Sequence, residues 1–133
     1  MNKVPGWPEV LAEYIESRRH SPFEWGENDC VMFLVGAIEA MTGENISKGY
    51  PGYKTEKAAA RIIKKNGGLI GLARKVGLKE KPPKLAQRGD GVLADIDGRE
   101  TCGVVIGNGT FAAPGIGELV FRPMSEAVVA LES

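Results

Sequence analysis

The apolar positions of this chain change their period near its middle. Trp7, Val10, Leu11, Tyr14 and Ile15 recur at the three-and-one spacing of a single helix face, and Pro8 suits a first helical turn. A helix is expected over 8–19, ending before Ser21-Pro22. From about 29 to 42, Val31, Phe33, Leu34, Ala37, Ile38 and Met41 cover a broad surface of a second helix, which must be buried on most sides. Gly43 fits its C-terminal cap. Thr55 is a candidate N-cap for a third helix with Ala58, Ala59, Ile62 and Ile63 inward, ended by Asn66-Gly67-Gly68. Leu69 to Val76 reads as a short fourth helix closed by Gly77, and Lys81-Pro82-Pro83 as a rigid connector.

From Gly89 onward the pattern becomes that of short strands, expected at 92–95, 101–106, 110–113 and 119–122. Asp97-Gly98 and Asn108-Gly109 separate the first three, and such pairs favour two-residue hairpin turns. Ser125 to Leu131 is expected to add a last helical turn or two. Helices first and an antiparallel meander second make an α+β domain, with residues 1–133 forming one unit. Alternation puts Thr101, Gly103 and Val105 on one face of their strand and Cys102, Val104 and Ile106 on the other.

Composition narrows the function classes. With 133 residues, 43% of them hydrophobic, the chain can build one core. Seventeen basic and seventeen acidic residues cancel, so no global field draws it to nucleic acid or a membrane surface. The lysine-rich stretches around Lys64-Lys65 and Lys79-Lys84 are interrupted by apolar residues and read as solvated faces. No apolar run approaches the ~20 residues of a membrane span, and no apolar segment of signal-peptide type follows Lys3. The two cysteines, Cys30 and Cys102, have neither disulfide-framework nor metal-pair spacing. Reduced thiols in the cytoplasm, with no metal and no cofactor, are the expectation.

The chemistry concentrates at Pro22-Phe23-Glu24-Trp25-Gly26-Glu27-Asn28-Asp29-Cys30. Here a cysteine opens a helix behind an aromatic-glycine turn. Unpaired backbone N–H groups and the positive end of the helix dipole both favour a thiolate there. Three readings stand open for Cys30: a small buried hydrophobe, a reactive thiolate without a competent triad, or a working nucleophile. A nucleophile needs a proton acceptor within hydrogen-bond reach. The one histidine, His20, lies at the end of the first helix and reaches Cys30 only if residues 21–29 fold back. Trp25 is either a loop anchor or a substrate platform, and Asp29 is at least a helix-start carboxylate favoured by the dipole. Tyr50 and Tyr53 sit in a Gly/Pro loop that could line a cleft. Arg88-Gly89-Asp90 entering a strand is a chance match to an integrin-type tripeptide, and the later glycines fit hairpin and bend geometry.

The opening Phe23, Trp25, Gly26, Asp29 and Cys30, followed by Gln87-Arg88-Gly89-Asp90 and by Gly103-Val104-Val105-Ile106-Gly107-Asn108-Gly109, resembles the NlpC-type papain-like cell-wall peptidases across most of the chain. The Phe-x-Trp-Gly-x-x-Asp-Cys opening and Ala112-Ala113-Pro114-Gly115 are similar to a small branch of that superfamily found in tailed phages and prophages. The resemblance implies a papain-like α+β fold, with N-terminal helices packed on a short antiparallel sheet. It also implies Cys30 as nucleophile, with Asp29 and Trp25 binding substrate, Asp29 through a peptide amine. The family's histidine base falls on Thr101, and its third polar residue falls where the chain has Ala112 and Ala113. If Thr101 faces Cys30, Cys102 points away into the other layer, which argues against a disulfide between the cysteines and against a two-thiol metal site. A register slip of one residue would bring Cys102 onto Cys30 instead.

The resemblance supports the fold further than the reaction. Its leading implication is a phage- or prophage-derived component of the tail tip, made in the bacterial cytoplasm and carried in the virion tail, with catalysis absent or reduced. Its partners would be phage tail proteins. The alternative is an active cysteine amidase or endopeptidase on peptidoglycan stem peptides, with helix-start N–H groups as oxyanion hole. A third reading is a small adaptor or immunity protein.

Overall fold

The computed structural model describes residues 1–48 and 52–133. Tyr50, considered above as a cleft residue, lies outside the described residues. Among the described residues four α-helices come first: α1 (Trp7–Arg18), α2 (Cys30–Thr42), α3 (Glu56–Lys65) and α4 (Gly68–Lys75). Six strands follow: β1 (Lys79–Lys81), β2 (Gly91–Ile96), β3 (Arg99–Gly107), β4 (Thr110–Pro114), β5 (Leu119–Pro123) and β6 (Ala127–Glu132). They form one antiparallel sheet in the order β1-β6-β2-β3-β4-β5. The α+β architecture expected from the change of period is the architecture found. Among the described residues, no helix is long and apolar enough to cross a membrane.

Local chemistry explains the element ends. Thr55 caps α3 by accepting from the Ala58 amide at 3.1 Å. Gly43 ends α2 at φ 74°, its amide bonded to the Glu39 carbonyl at 2.8 Å. Asp97-Gly98 and Asn108-Gly109 all adopt positive φ, the backbone of the tight hairpin turns joining β2 to β3 and β3 to β4.

The segment expected to be a last helical turn is instead a strand. A single 3-10 turn, Met124–Glu126, precedes it, and Ala127–Glu132 then runs between β1 and β2. Val128 and Val129 are β-branched, and pairing on both sides satisfies the backbone, so tertiary context decides the matter. The three-residue β1 has no sequence signal of its own; it exists because Lys79, Glu80 and Lys81 pair with Glu132, Leu131 and Ala130.

The core has two layers. On the helix side, Leu11 and Ile15 of α1, Phe33, Leu34 and Ile38 of α2, and Leu69 of α4 pack against Leu93, Cys102, Val104 and Leu131 of the sheet. The opposite face carries a smaller cluster of Val92, Ala94, Val105, Phe111 and Ala113. α1 closes tightly on α2 because residue 36 is glycine. A Cβ there would lie 2.2 Å from the Tyr14 hydroxyl, which donates to the Phe33 carbonyl at 2.9 Å.

The approach to β2 is fixed by a buried charge. The Asp90 carboxylate, 2% exposed, accepts from the Gln87 amide at 2.7 Å and pairs with Lys81 Nζ at 2.7 Å. Removing one partner of such a pair strands the other. Lys81→Met is expected to cost about 2–4 kcal/mol in urea unfolding, and adding Asp90→Asn should recover part of the loss.

Candidate functional site

The site is assembled around the first residue of α2. Asp29 is its N-cap: one carboxylate oxygen accepts from the Met32 amide at 2.9 Å, the other from the Gly26 amide at 2.8 Å. Asp29 is 1% exposed and also accepts from the Tyr53 hydroxyl. A substrate amine would have to displace these donors to reach it. The turn before it is held by Asn28, whose Nδ2 donates to the carbonyls of Ser21 at 3.2 Å and Pro22 at 3.0 Å. Trp25 is half-buried and stacks edge-on against Phe23, ring centroids 4.8 Å apart, which anchors the loop.

Gly26 explains how the loop before α3 reaches this turn. It sits at φ 84°, and a Cβ on it would lie 1.9 Å from the Tyr53 carbonyl oxygen. Only glycine lets that backbone come so close. The same approach brings the Tyr53 phenol to Asp29, within the field of both thiols. Burial, the hydrogen bond to Asp29 and the negative charge around it raise the phenol's pKa, so Tyr53 stays protonated and donating.

Cys30 is partly exposed and Cys102 is buried; both are reduced. The expected strand alternation holds, but its consequence is reversed. Cys102, Val104 and Ile106 face the helices, whereas Val105 belongs to the opposite cluster. Cys102 therefore points toward α2, not away from it, and its thiol meets that of Cys30. The reason lies in register: β3 pairs Cys102 with Leu93, and both side chains belong to the helix-side core. Thr101, the position expected for a base, also places its hydroxyl on the Cys30 sulfur. It can donate a hydrogen bond there but cannot hold a proton taken from a thiol near neutral pH.

These neighbours set the thiol's ionisation. The Cys102 side chain donates to the Cys30 sulfur, the Cys102 amide and Thr101 add to it, and together they outweigh burial and the Asp29 charge. The Cys30 pKa falls from 9.0 to about 7. Cys102 carries the complementary shift: its hydrogen bond to Cys30, then burial, hold its pKa well above the ordinary value. Above about pH 7 the pair thus keeps one proton, on Cys102.

No imidazole takes part. His20 is exposed at the end of α1, its Nδ1 3.4 Å from a Glu118 carboxylate oxygen. Beside the site, an apolar cavity of about 270 Å³ is lined by Tyr53, Val35, Ile38, Leu72, Cys102 and Leu131 among others. Among the described residues, no cluster of three or more potential ligands suits a metal ion. Tyr53, read from the sequence as a cleft residue, does line the cavity, whereas Cys102 was placed there only by a slip of register. Which face of β3 meets α2 is a long-range fact, and Gly26 was the one local hint that another backbone passes close by.

Residues 2–132 match the family described as a domain of unknown function, DUF6950, and the chain belongs to that family. No curated protein matches it in sequence. Among solved structures it is similar to the NlpC/p60 domain of the peptidoglycan hydrolase SagA. That match has a TM-score of 0.60 at 15% identity and covers 95% of this chain and 98% of the other. It is also similar to RipD from Mycobacterium tuberculosis, described as a non-catalytic NlpC/p60 domain protein adapted to peptidoglycan binding. Here the TM-score is 0.58 at 14% identity, covering 98% of each chain. The fold is therefore of NlpC/p60 type.

Two measurements check the site. Alkylation of Cys30 followed against pH should reach half its plateau rate near pH 7, with Cys102→Ala moving the midpoint upward toward 9.0 and Thr101→Val moving it less. Asp29→Ala, which leaves the Gly26 and Met32 amides and the Tyr53 hydroxyl without their acceptor, should lower unfolding free energy by about 2–4 kcal/mol. Asp29→Asn, which keeps one acceptor oxygen, should lose less.

Proposed function

From this fold and family, we propose that the chain is a phage- or prophage-derived NlpC-like domain of the tail tip, used for binding and assembly, with peptide hydrolysis absent or much reduced. One observation carries the reading: the groups that hydrogen-bond the Cys30 thiol are a second thiol, a backbone amide and a hydroxyl, and none is an imidazole. Papain-like amide cleavage needs a group that accepts the nucleophile's proton and returns it to the leaving amine. Thr101 has no such capacity, and Cys102, whose pKa is raised, gives up its proton too reluctantly. Asp29 and Tyr53 are bound to each other in support of the turn. RipD shows by its description that an NlpC/p60 domain can serve binding alone. The phage setting rests on the Phe23-to-Cys30 opening and the Ala112-to-Gly115 segment.

A second reading, cysteine amidase action on peptidoglycan stem peptides, is favoured by the lowered Cys30 pKa. Thiolate supply is then met without a histidine, and the missing part is the acid for the amine. The two readings separate in a single assay. Stem peptides and intact sacculi incubated with the protein should release no amine beyond a Cys30→Ala control. Release that depends on Cys30 would establish the amidase. Phage particles from a lysogen carrying the gene should contain the chain by mass spectrometry; particles without it would remove the tail assignment.

A further inference from the structure

Hydrolysis has no use for Cys102, yet the fold places it with care. Cys30 and Cys102 are the chain's two cysteines, brought from distant parts of the sequence onto α2 and β3, two elements that pack against each other. Cys30 packs against the core cluster to which Cys102 belongs. The two differ in access: Cys30 is partly exposed at the helix mouth, and Cys102 is 3% exposed beneath it. Thr101 and the Cys102 amide direct further donors at the same sulfur. A partly exposed cysteine in a polarising environment, backed by a fully buried second one, is the asymmetry that separates an attacking from a resolving cysteine.

We propose that Cys30 and Cys102 form a dithiol redox pair, in which a small peroxide oxidises Cys30 and Cys102 closes an intramolecular disulfide. The Cys30 sulfur attacks one peroxide oxygen, an S–O bond forms, the O–O bond breaks, and the departing oxygen leaves as water after taking a proton. Cys30 is thereby oxidised by two electrons to a sulfenic acid, and the peroxide is reduced. The Cys102 sulfur then attacks the Cys30 sulfur. The S–S bond forms, the S–O bond breaks, and the hydroxyl leaves with the Cys102 proton as a second water. A cellular dithiol reverses the change by thiol–disulfide exchange. This chemistry is independent of the binding reading. In the oxidised form the Cys30 thiolate is gone, and α2 is tied covalently to β3.

The test uses the full chain, reduced and then exposed to graded hydrogen peroxide, with free thiols trapped by alkylation under denaturing conditions. The two thiols should disappear together in the monomer, with a mass decrease of two hydrogens per chain. A non-reduced peptide map should show Cys30 joined to Cys102, and dithiothreitol should restore both. Cys102→Ser, in which no partner can resolve the sulfenic acid, should instead accumulate Cys30 sulfenic and sulfinic acids. The wild-type chain alone decides the matter should that variant fail to fold. Cys102 remaining fully alkylatable while Cys30 is oxidised would overturn the proposal, as would disulfides only between chains or no reaction at either thiol.

Discussion

Most of what surrounds Cys30 depends on one buried carboxylate. Asp29 joins three separate pieces of chain: the Gly26 turn, the first turn of α2 through Met32, and the loop carrying Tyr53. A charge this deeply buried survives only when donors satisfy it, and here amide, amide and phenol all point inward. The helix dipole adds to the balance, since a carboxylate at a helix N-terminus is favoured. The same negative charge works against ionisation of the neighbouring thiol, and the donors from β3 overcome it. The capping residue thus sets both the shape of the site and the field in which Cys30 titrates.

Thiolate formation and amide cleavage are separable demands, and the groups that bond the Cys30 sulfur serve the first without offering an imidazole for the second. A sulfur can be held ionised by hydrogen bonds from neutral groups, such as the Cys102 thiol, its backbone amide and the Thr101 hydroxyl. None of these can shuttle a proton at neutral pH as an imidazole does. The NlpC/p60 fold supplies the scaffold common to both outcomes: a helix mouth against an inner strand of a sheet. Whether that scaffold cleaves, binds or senses is then decided by a few side chains on β3.

What could be read in advance follows how local each feature is. The helix caps at Asp29, Thr55 and Gly43 and the turns at Asp97-Gly98 and Asn108-Gly109 are set by a few adjacent residues, and each occurs where the sequence marks it. The broad apolar surface of α2 foretold its burial for the same reason. β6 and β1 escaped because each is defined by its pairing with other strands. The alternation of β3 was legible, but the face it turns to α2 was not. That depends on Leu93, Leu131 and the helix-side core acting together, far from Cys102 in sequence. So the position of the Cys30 thiol was visible from the chain, while its principal neighbour was visible only in the fold.

The order of the strands leaves β1 and β5 at the two margins of the sheet. β1 is only Lys79-Glu80-Lys81, charged at every position, and β5 ends at Arg122-Pro123, where proline offers no amide to a further ladder. Short, charged and proline-ended margins discourage another chain from adding a strand, which guards against edge-to-edge aggregation. A partner of this domain is therefore steered toward recognition through side chains on its faces and loops, and away from extension of the sheet. That leaves the protein able to reach high local density without polymerising through its own backbone.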